Sequence, residues 1–503
     1  MKLKRHLYLW HRWLGIVSCL FMALWFVSGV VMLYVGYPKL TPAERLGHLP
    51  ELPATCCAAL PNQWAHIPLE SLRLTSLAGE PHYLLVLPNG QHLAVNAQTG
   101  KPVSEVTQSW AVANAWQFNG NTSLSYQGLL DEDMWTHSRA LDPHRPLYRI
   151  VSNDKAKTWL YLSSQTGEVV LDASAQERSW NWLGAWLHWL YPLRGGFGVE
   201  NGWRMLVIGL SLIGTTMAVF GMIVGLLRLR LRTPYRHGSC SPYKTGWLHW
   251  HHIAGLLFGL LLVLWVFSGF MSMRPWGLTD SHSQLLSKDL QQGSLRAADL
   301  SFGVNEALLQ FQKEAGFKPV ELEWQRLSGE TYLVAIDANG QSRILEDFEP
   351  PKLAFSRERL LAAARLLAEG ITLQGDWQSH YDNYYYARAE YSMNGAQERP
   401  LPVVRMRFGD AEKTWMYMDP TSGKVVARSD EAQRTNRWLF NLLHSWDIQA
   451  LLERPVLREV LIILFSLGGL LVSVSGVVLG WRRLSQIWRQ QRQRSQRSSL
   501  PES

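Results

Sequence analysis

GWLHWHHIAGLLFGLLLVLWVFSG, residues 246–269, gathers His249, His251 and His252 at the mouth of an unbroken apolar run. The run continues to about residue 273, and as a helix 253–273 is long enough to cross a hydrocarbon core of about 30 Å. Three more stretches, 13–36, 204–227 and 457–480, meet the same criterion, and none carries an acidic residue in its middle. Imidazoles are polar and gain nothing from lipid, so three at a membrane boundary call for a role.

Composition supports the spans. The chain has 503 residues, 47 % hydrophobic, with 24 tryptophans. Its mean hydropathy is nonetheless −0.09, as expected when a few apolar spans alternate with large water-soluble regions. Many tryptophans flank the apolar runs, where indole favours the membrane–water boundary. The net charge of +8 does not point to nucleic acid, because the arginines also concentrate beside the spans. Lys2, Lys4 and Arg5 precede the first span, RLRLRTPYRHGSCSPYKTG joins the second to the third, and WRRLSQIWRQQRQRSQR follows the fourth. By the positive-inside rule these three segments are cytoplasmic, and the long loops 37–203 and 274–456 lie outside, in a bacterial periplasm. The first apolar run is too long for a signal peptide and is expected to remain as an anchor.

The chain reads as a tandem duplication. HRWLGIVSCLFMALWFVSG (11–29) aligns without a gap on HHIAGLLFGLLLVLWVFSG (251–269), at an offset of 240 (251 − 11). TWLYLSSQTGEVV (158–170) aligns on TWMYMDPTSGKVV (414–426), at an offset of 256 (414 − 158). The second offset also carries WLGAWLHWL onto WLFNLLHSW, so that His188 meets His444. The expected divisions are a tail and first span (1–36), an α+β region (37–178), a histidine segment with the second span (179–227) and a basic loop (228–246). Then follow the histidine cluster and third span (247–273), a second α+β region (274–434), a histidine segment with the fourth span (435–481) and a basic tail (482–503). Each long loop is expected to hold two small α+β units. HYLLVLPNGQHLAVNAQTGKPV and TYLVAIDANGQSRIL alternate around Asn-Gly turns, the strongest short-range hairpin signal, and SRERLLAAARLLAEG (356–370) has helical periodicity. Cys56 and Cys57 are adjacent without metal-type spacing and read as an incidental pair, with a vicinal disulfide as the alternative.

The repeat sorts the sixteen histidines. His11 and His251 begin the first and third spans, while His188 and His444 precede the second and fourth. If the halves pack about a pseudo-two-fold axis, each pair faces itself across the bundle. Two neutral imidazoles converging in an apolar setting suit haem b, whose iron accepts one nitrogen on each face. Two bis-histidine haems, one near each membrane surface, make a path for electrons. Gly15, Gly255, Ser28–Gly29 and Ser268–Gly269 reduce bulk on the spans, allowing close helix packing or a close porphyrin. His249 and His252 are alternatives to His251 as ligand or as propionate donors. Zinc is disfavoured because no cysteine or carboxylate is nearby.

HRWLG (11–15), HHIAG (251–255), LWFVSG, LWVFSG, YMDPTSGKVV and the weaker SSQTGEVV resemble the PepSY-associated transmembrane family of iron-regulated or iron-uptake membrane proteins. The resemblance implies four inner-membrane spans with PepSY-type periplasmic domains and, in some members, dihaem siderophore reductases. It implies a ferric siderophore or other iron chelate as substrate, and a cytoplasmic reductase or quinol as electron donor, since the cytoplasmic segments are too short for a flavin domain. It equally allows a membrane-anchored PepSY regulator of periplasmic proteases without haem. A candidate substrate face is SHYDNYYYARAEYS (379–392), with His380, Tyr384 and Tyr385, although these tyrosines also read as ordinary strand residues.

Overall fold

The computed structural model describes residues 2–120, 123–194, 200–347, 349–395 and 397–498. Four of its helices are long and apolar enough to cross a membrane: Lys2–Met32, Glu200–Arg228, Trp247–Ser272 and Pro455–Ser498. Each packs on two neighbours, first on second and fourth, third on second and fourth. The bundle is therefore a ring, with the first and third helices on one diagonal. Leu20, Leu257, Leu260 and Leu467 remain exposed on its outside, as lipid-facing residues must. Inside, Phe26 and Phe258 lie against Gly469 and Gly468, where an added Cβ would stand 2.4 and 2.5 Å from the rings.

The helix ends depart from the apolar runs for local reasons. The fourth continues through the arginine-rich end to Ser498, because arginine, glutamine and leucine are good helix formers and that stretch lacks glycine and proline. The first stops at Met32. Four residues on, Gly36 packs so closely on Met393 that a Cβ would lie 2.8 Å from its Cα.

The first loop region contributes strands β1 (Ser71–Leu77), β2 (Glu80–Val86), β3 (His92–Asn96), β4 (Leu124–Leu130), β5 (Leu147–Ser152), β6 (Trp159–Ser163) and β7 (Val169–Ala173). The second contributes β8 (Pro319–Leu327), β9 (Glu330–Asp337), β10 (Ser342–Leu345), β11 (Leu373–Gln378), β12 (Val403–Phe408), β13 (Trp415–Met418) and β14 (Val425–Ser429). Both Asn-Gly hairpins form, with Gly90 and Gly340 at φ +80° and +77°. The periodic stretch at 356–370 is a helix, Arg357–Leu367, capped by Ser356.

Two units per loop do not stay separate. β4–β7 and β11–β14 make a four-stranded sheet each, but β10-β9-β8-β1-β2-β3 is one six-stranded sheet drawn from both loops. Its central pairing is antiparallel, with Leu72 opposite Trp324 and Leu74 opposite Leu322. A three-stranded meander buries one face and leaves an edge strand unpaired. Pairing β1 with β8 removes both edges and buries Leu72, Leu74, Tyr83, Leu322 and Trp324 in one core. Cys56 and Cys57, expected to be an incidental pair, are joined by a disulfide at the rim of that core. Asn305 clamps the turn, accepting from the Cys57 amide at 3.1 Å and donating to its carbonyl at 2.8 Å.

A buried ion network locks the junction. Arg45 donates to both oxygens of Glu321 at 2.5 and 2.9 Å, and Arg73 bridges Glu321 at 3.1 Å and Glu168 at 2.9 Å. Burial opposes ionisation of both carboxylates, but the adjacent guanidiniums, Arg73 foremost, outweigh it and hold both below the ordinary 4.5. Their contribution to stability is complete above 4.5 and is lost as the pH falls below it. Arg73→Met leaves Glu168 without its arginine and Glu321 with Arg45 alone, and is expected to cost about 3–5 kcal/mol, measured as a lower urea midpoint at pH 7. An unchanged midpoint would show that Arg45 alone suffices.

Candidate functional site

The ring brings the sequence-selected histidines together in two pairs. His11 and His251 lie on the diagonal helices with ring centres 6.1 Å apart. His188 and His444 approach from the loop side, also at 6.1 Å. The loop-side pair reaches its place through matched backbone. Trp182–Trp186 and Trp438–Leu442 are π-helical turns just before each histidine, a distortion that recurs at functional sites. Leu190 and Trp446 then break each segment at φ +55° and +56°.

All four rings are anchored through Nδ1, and the partners fix the tautomer. His11 Nδ1 lies 3.1 Å from the Met217 carbonyl. A carbonyl only accepts, so Nδ1 carries the proton. His251 Nδ1 lies 3.2 Å from the Val472 carbonyl and 2.9 Å from Ser475 Oγ. His188 meets Ser28 Oγ and His444 meets Ser268 Oγ, both at 3.0 Å. Each of these serines already donates its one proton to its own helix, Ser28 to Leu24, Ser268 to Trp265 and Ser475 to Val472. The hydroxyls must therefore accept from Nδ1–H. Every Nε2 is left with a lone pair, the form in which imidazole binds a metal. Burial, and next the neighbouring His444, push His188 down to about 3, and burial pushes His444 down to about 4. Both are neutral bases at pH 7.

Glycines make room for the rings. A Cβ on Gly221 would lie 2.6 Å from His11 Cε1, and one on Gly476 would lie 3.6 Å from His251 Cε1. A Cβ on Gly29 or Gly269 would lie 3.4 Å from His188 Cε1 and 3.8 Å from His444 Cε1 respectively. Gly15 and Gly255, one turn beyond His11 and His251, do not pack against another helix. Gly255 faces open space and Gly15 meets only Cys19 of its own helix at 3.8 Å.

Around the loop-side pair is a cavity of about 300 Å³, lined by His188, His444, Gly29, Gly269, Phe26 and Trp265. Arg388 also faces it and lines an adjoining polar cavity of about 270 Å³, together with Tyr384, Tyr386, Arg399 and Arg437. Arg388 bonds the buried Asp447 at 2.9 Å. Burial raises that carboxyl above its ordinary value despite the arginines around it.

The three-histidine cluster separates cleanly. His251 faces His11. His252 is buried, with Nδ1 on Ser241 Oγ at 2.9 Å and Nε2 on the Gly225 carbonyl at 3.1 Å, so both nitrogens are engaged in tying the basic loop to the bundle. His249 bonds the Tyr243 carbonyl at 2.8 Å. The tyrosine stretch is a loop after β11, not the strand its composition suggested. Asp382 accepts from the Tyr384 and Tyr385 amides at 2.8 Å, and this turn splits the tyrosines. Tyr384 and Tyr386 face the polar cavity, Tyr385 is fully buried against Tyr417 at 4.7 Å, and His380 is exposed at the surface. Sequence reading missed Ser28 and Ser268 as anchors, although each follows its span's histidine by seventeen residues. It also missed Ser475 and Arg388, which the repeat does not duplicate.

Apolar helices in a ring, joined by β-rich loop regions, define an integral membrane protein with α+β regions between its spans. More particularly, the model of the PepSY-associated TM region family matches residues 8–306, more than half of the chain, and the chain belongs to that family. No curated protein matches it.

Gly221→Ala drives a methyl into the His11 ring and is expected to destabilise the bundle by about 1–3 kcal/mol, read as a lower melting temperature in detergent. Gly255→Ala, which meets nothing within 4 Å, should change stability by no more than about 0.5 kcal/mol. Equal effects of the two would show that the His11 cradle is not tight.

Proposed function

We propose that the chain is a duplicated, inner-membrane dihaem electron-transfer protein that reduces a ferric siderophore or related chelate at the periplasmic face for iron uptake. The observation that carries this reading is the anchoring of all four paired imidazoles through Nδ1–H, which leaves each Nε2 its lone pair in pairs whose ring centres stand 6.1 Å apart. Two imidazoles sharing one iron through Nε2 from opposite sides put their ring centres about 6.2 Å apart, from metal–nitrogen bonds of about 2.0 Å and about 1.1 Å from nitrogen to ring centre. The pairs stand at 6.1 Å. Open space at Gly15 and Gly255, and the apolar cavity beside Phe26 and Trp265, suit a flat macrocycle. Haem b, held by His11 and His251 at one layer and by His188 and His444 at the other, would supply a one-electron iron couple.

The rest is set by the chain's own residues. Seventeen residues separate His11 from Ser28 and His251 from Ser268, so the two layers are about 25 Å apart along the helices at 1.5 Å per residue. Phe26, Trp265 and Trp446 make ring contacts of 5.7 and 5.9 Å at the loop-side layer. Basic segments at both termini and between the second and third spans favour a cytoplasmic location, which places the loop regions and the His188–His444 pair on the periplasmic side. There Arg388, Arg399 and Arg437, with Tyr384 and Tyr386, form a cationic, aromatic vestibule beside the pair. Such a surface suits anionic oxygen donors, which grip Fe(III) far better than Fe(II). Electrons then come from a reductase or quinol at the other face.

The test is the visible spectrum of detergent-purified protein. A Soret band that sharpens and shifts on dithionite reduction, with two haems per chain, is expected. His188→Ala and His444→Ala should each lose one haem and keep the other, and so should His11→Ala and His251→Ala for the opposite layer. His249→Ala and His252→Ala should retain both. Colourless, folded protein from haem-replete cells would overturn the reading in favour of a membrane-anchored regulator.

A further inference from the structure

A second group of histidines lies far in sequence from the paired ones. His92 on β3, His144 at the end of the 3₁₀ turn Arg139–His144, and Glu168 in the turn between β6 and β7 offer three ligand atoms that all lie within 4.8 Å of one another. The two rings meet edge to face at 4.5 Å. Among the described residues neither ring hydrogen-bonds to the protein, and His144 Nδ1 is buried without a partner. That is a costly state for a buried imidazole nitrogen. His144 and Glu168 open onto a cavity of about 390 Å³.

We propose that His92, His144 and Glu168 bind one divalent first-row transition-metal ion, Fe(II) or Zn(II) in class, at the junction between the six-stranded sheet and the β4–β7 sheet. Two imidazoles and a carboxylate are a borderline donor set that suits these ions and not calcium or magnesium, which take all-oxygen cages. Ligand atoms sharing one ion lie no more than about 4.2 Å apart, so closing the present spacing needs only small side-chain rotations. The second layer of contacts is already built. Arg73 holds Glu168 Oε2 at 2.9 Å, leaving Oε1, whose contact is the Thr166 hydroxyl at 3.3 Å. A ligating carboxylate steadied on its other oxygen is the usual arrangement around such ions. Backbone fixes His144, whose carbonyl accepts from the Ser164 amide at 3.1 Å. The surrounding charge is balanced, since Glu168, Glu321 and Glu323 offset Arg45, Arg73 and Lys424, whose ammonium bonds Glu323. Three protein ligands leave positions open for water or for an exchanging ligand. His92 comes from one sheet and the other two ligands from the next, so the ion would couple the two units. This site does not depend on the haem reading.

The test titrates Zn(II), and Co(II) as a spectroscopic probe, into the full-length protein in detergent, against His92→Ala, His144→Ala and the double variant. The expected result is a Zn(II) site in the wild type that each single variant weakens at least about 100-fold, beyond the 10–100-fold that outer contacts are worth. The Co(II) ligand-field bands should disappear in the double variant. Metal-free melting temperatures report folding, and His92→Asn with His144→Asn replaces the alanines if these melt early. Absence of a Co(II) signal in the wild type, or wild-type affinity in a folded double variant, would overturn the proposal, because the four paired histidines are intact in every variant.

Discussion

Each of the four paired histidines donates its Nδ1 proton to groups on a neighbouring helix that can only accept, and the arrangement of the membrane region depends on those hydrogen bonds. An imidazole free to rotate offers either nitrogen in either direction. One bound to a carbonyl, or to a serine whose hydroxyl proton is already committed, offers a single lone pair along a single line. Serine hydroxyls that bond back to their own helix slightly weaken it. Ser28, Ser268 and Ser475 accept that penalty, which is offset by the fixed orientation of the ring opposite. The neighbouring glycines serve the same end, since a Cβ at Gly221 would occupy the space His11 needs.

That constraint explains why the helices form a ring rather than a compact pairwise bundle. His11 and His251 begin helices on one diagonal, and their anchors, the Met217 and Val472 carbonyls, belong to the helices on the other. Each ring is therefore gripped from the side while facing across the gap. The loop-side pair inverts the relation: the histidines come from the segments before the second and fourth helices, and the serines from the first and third. Such reciprocal placement requires the two loop regions to hold a fixed relation. The β1–β8 pairing and the Arg45–Glu321–Arg73–Glu168 network provide it from outside the bundle.

Much of this was legible in the sequence, and what was not has physical causes. Span positions, hairpins and the two histidine pairs follow from hydropathy, turn chemistry and internal repetition, all local or self-referential signals. Fusion of β1 with β8 is a contact between segments about 250 residues apart, and alternation says only that an edge exists, not what covers it. The choice of His251 over His249 and His252 turns on helical phase and on what Ser241 and Gly225 offer to His252. The repeat pointed to His251, and geometry explains why. Ser28 and Ser268 were visible as small residues, yet their hydroxyl role appears only when the facing nitrogen is known. The reading of Tyr384–Tyr386 as strand residues failed because a side-chain cap from Asp382 turned the chain.

The two segments that lead into the second and fourth helices are alike where they position histidines and unlike where they meet water. Arg178 and Arg434, 256 positions apart, lie over Trp159 and Trp415 at 4.1 and 4.3 Å and donate to the Lys157 and Lys413 carbonyls. Three residues on, the match is interrupted. Asn181 donates to the Gly36 carbonyl at 2.9 Å, whereas its counterpart Arg437 is buried beside the polar cavity with Nε and Nη1 unpaired. A buried guanidinium with free N–H groups is unfavourable unless an anion completes it. Arg388 and Arg458 flank the Asp447 carboxylate and Arg437 donates to its backbone carbonyl, so three arginines converge on one residue. Two identical halves would present two identical faces. Concentrating cationic donors on one half instead gives the loop-side pair a single polar approach, the asymmetry required if an anionic ligand enters from one direction and leaves by the same route.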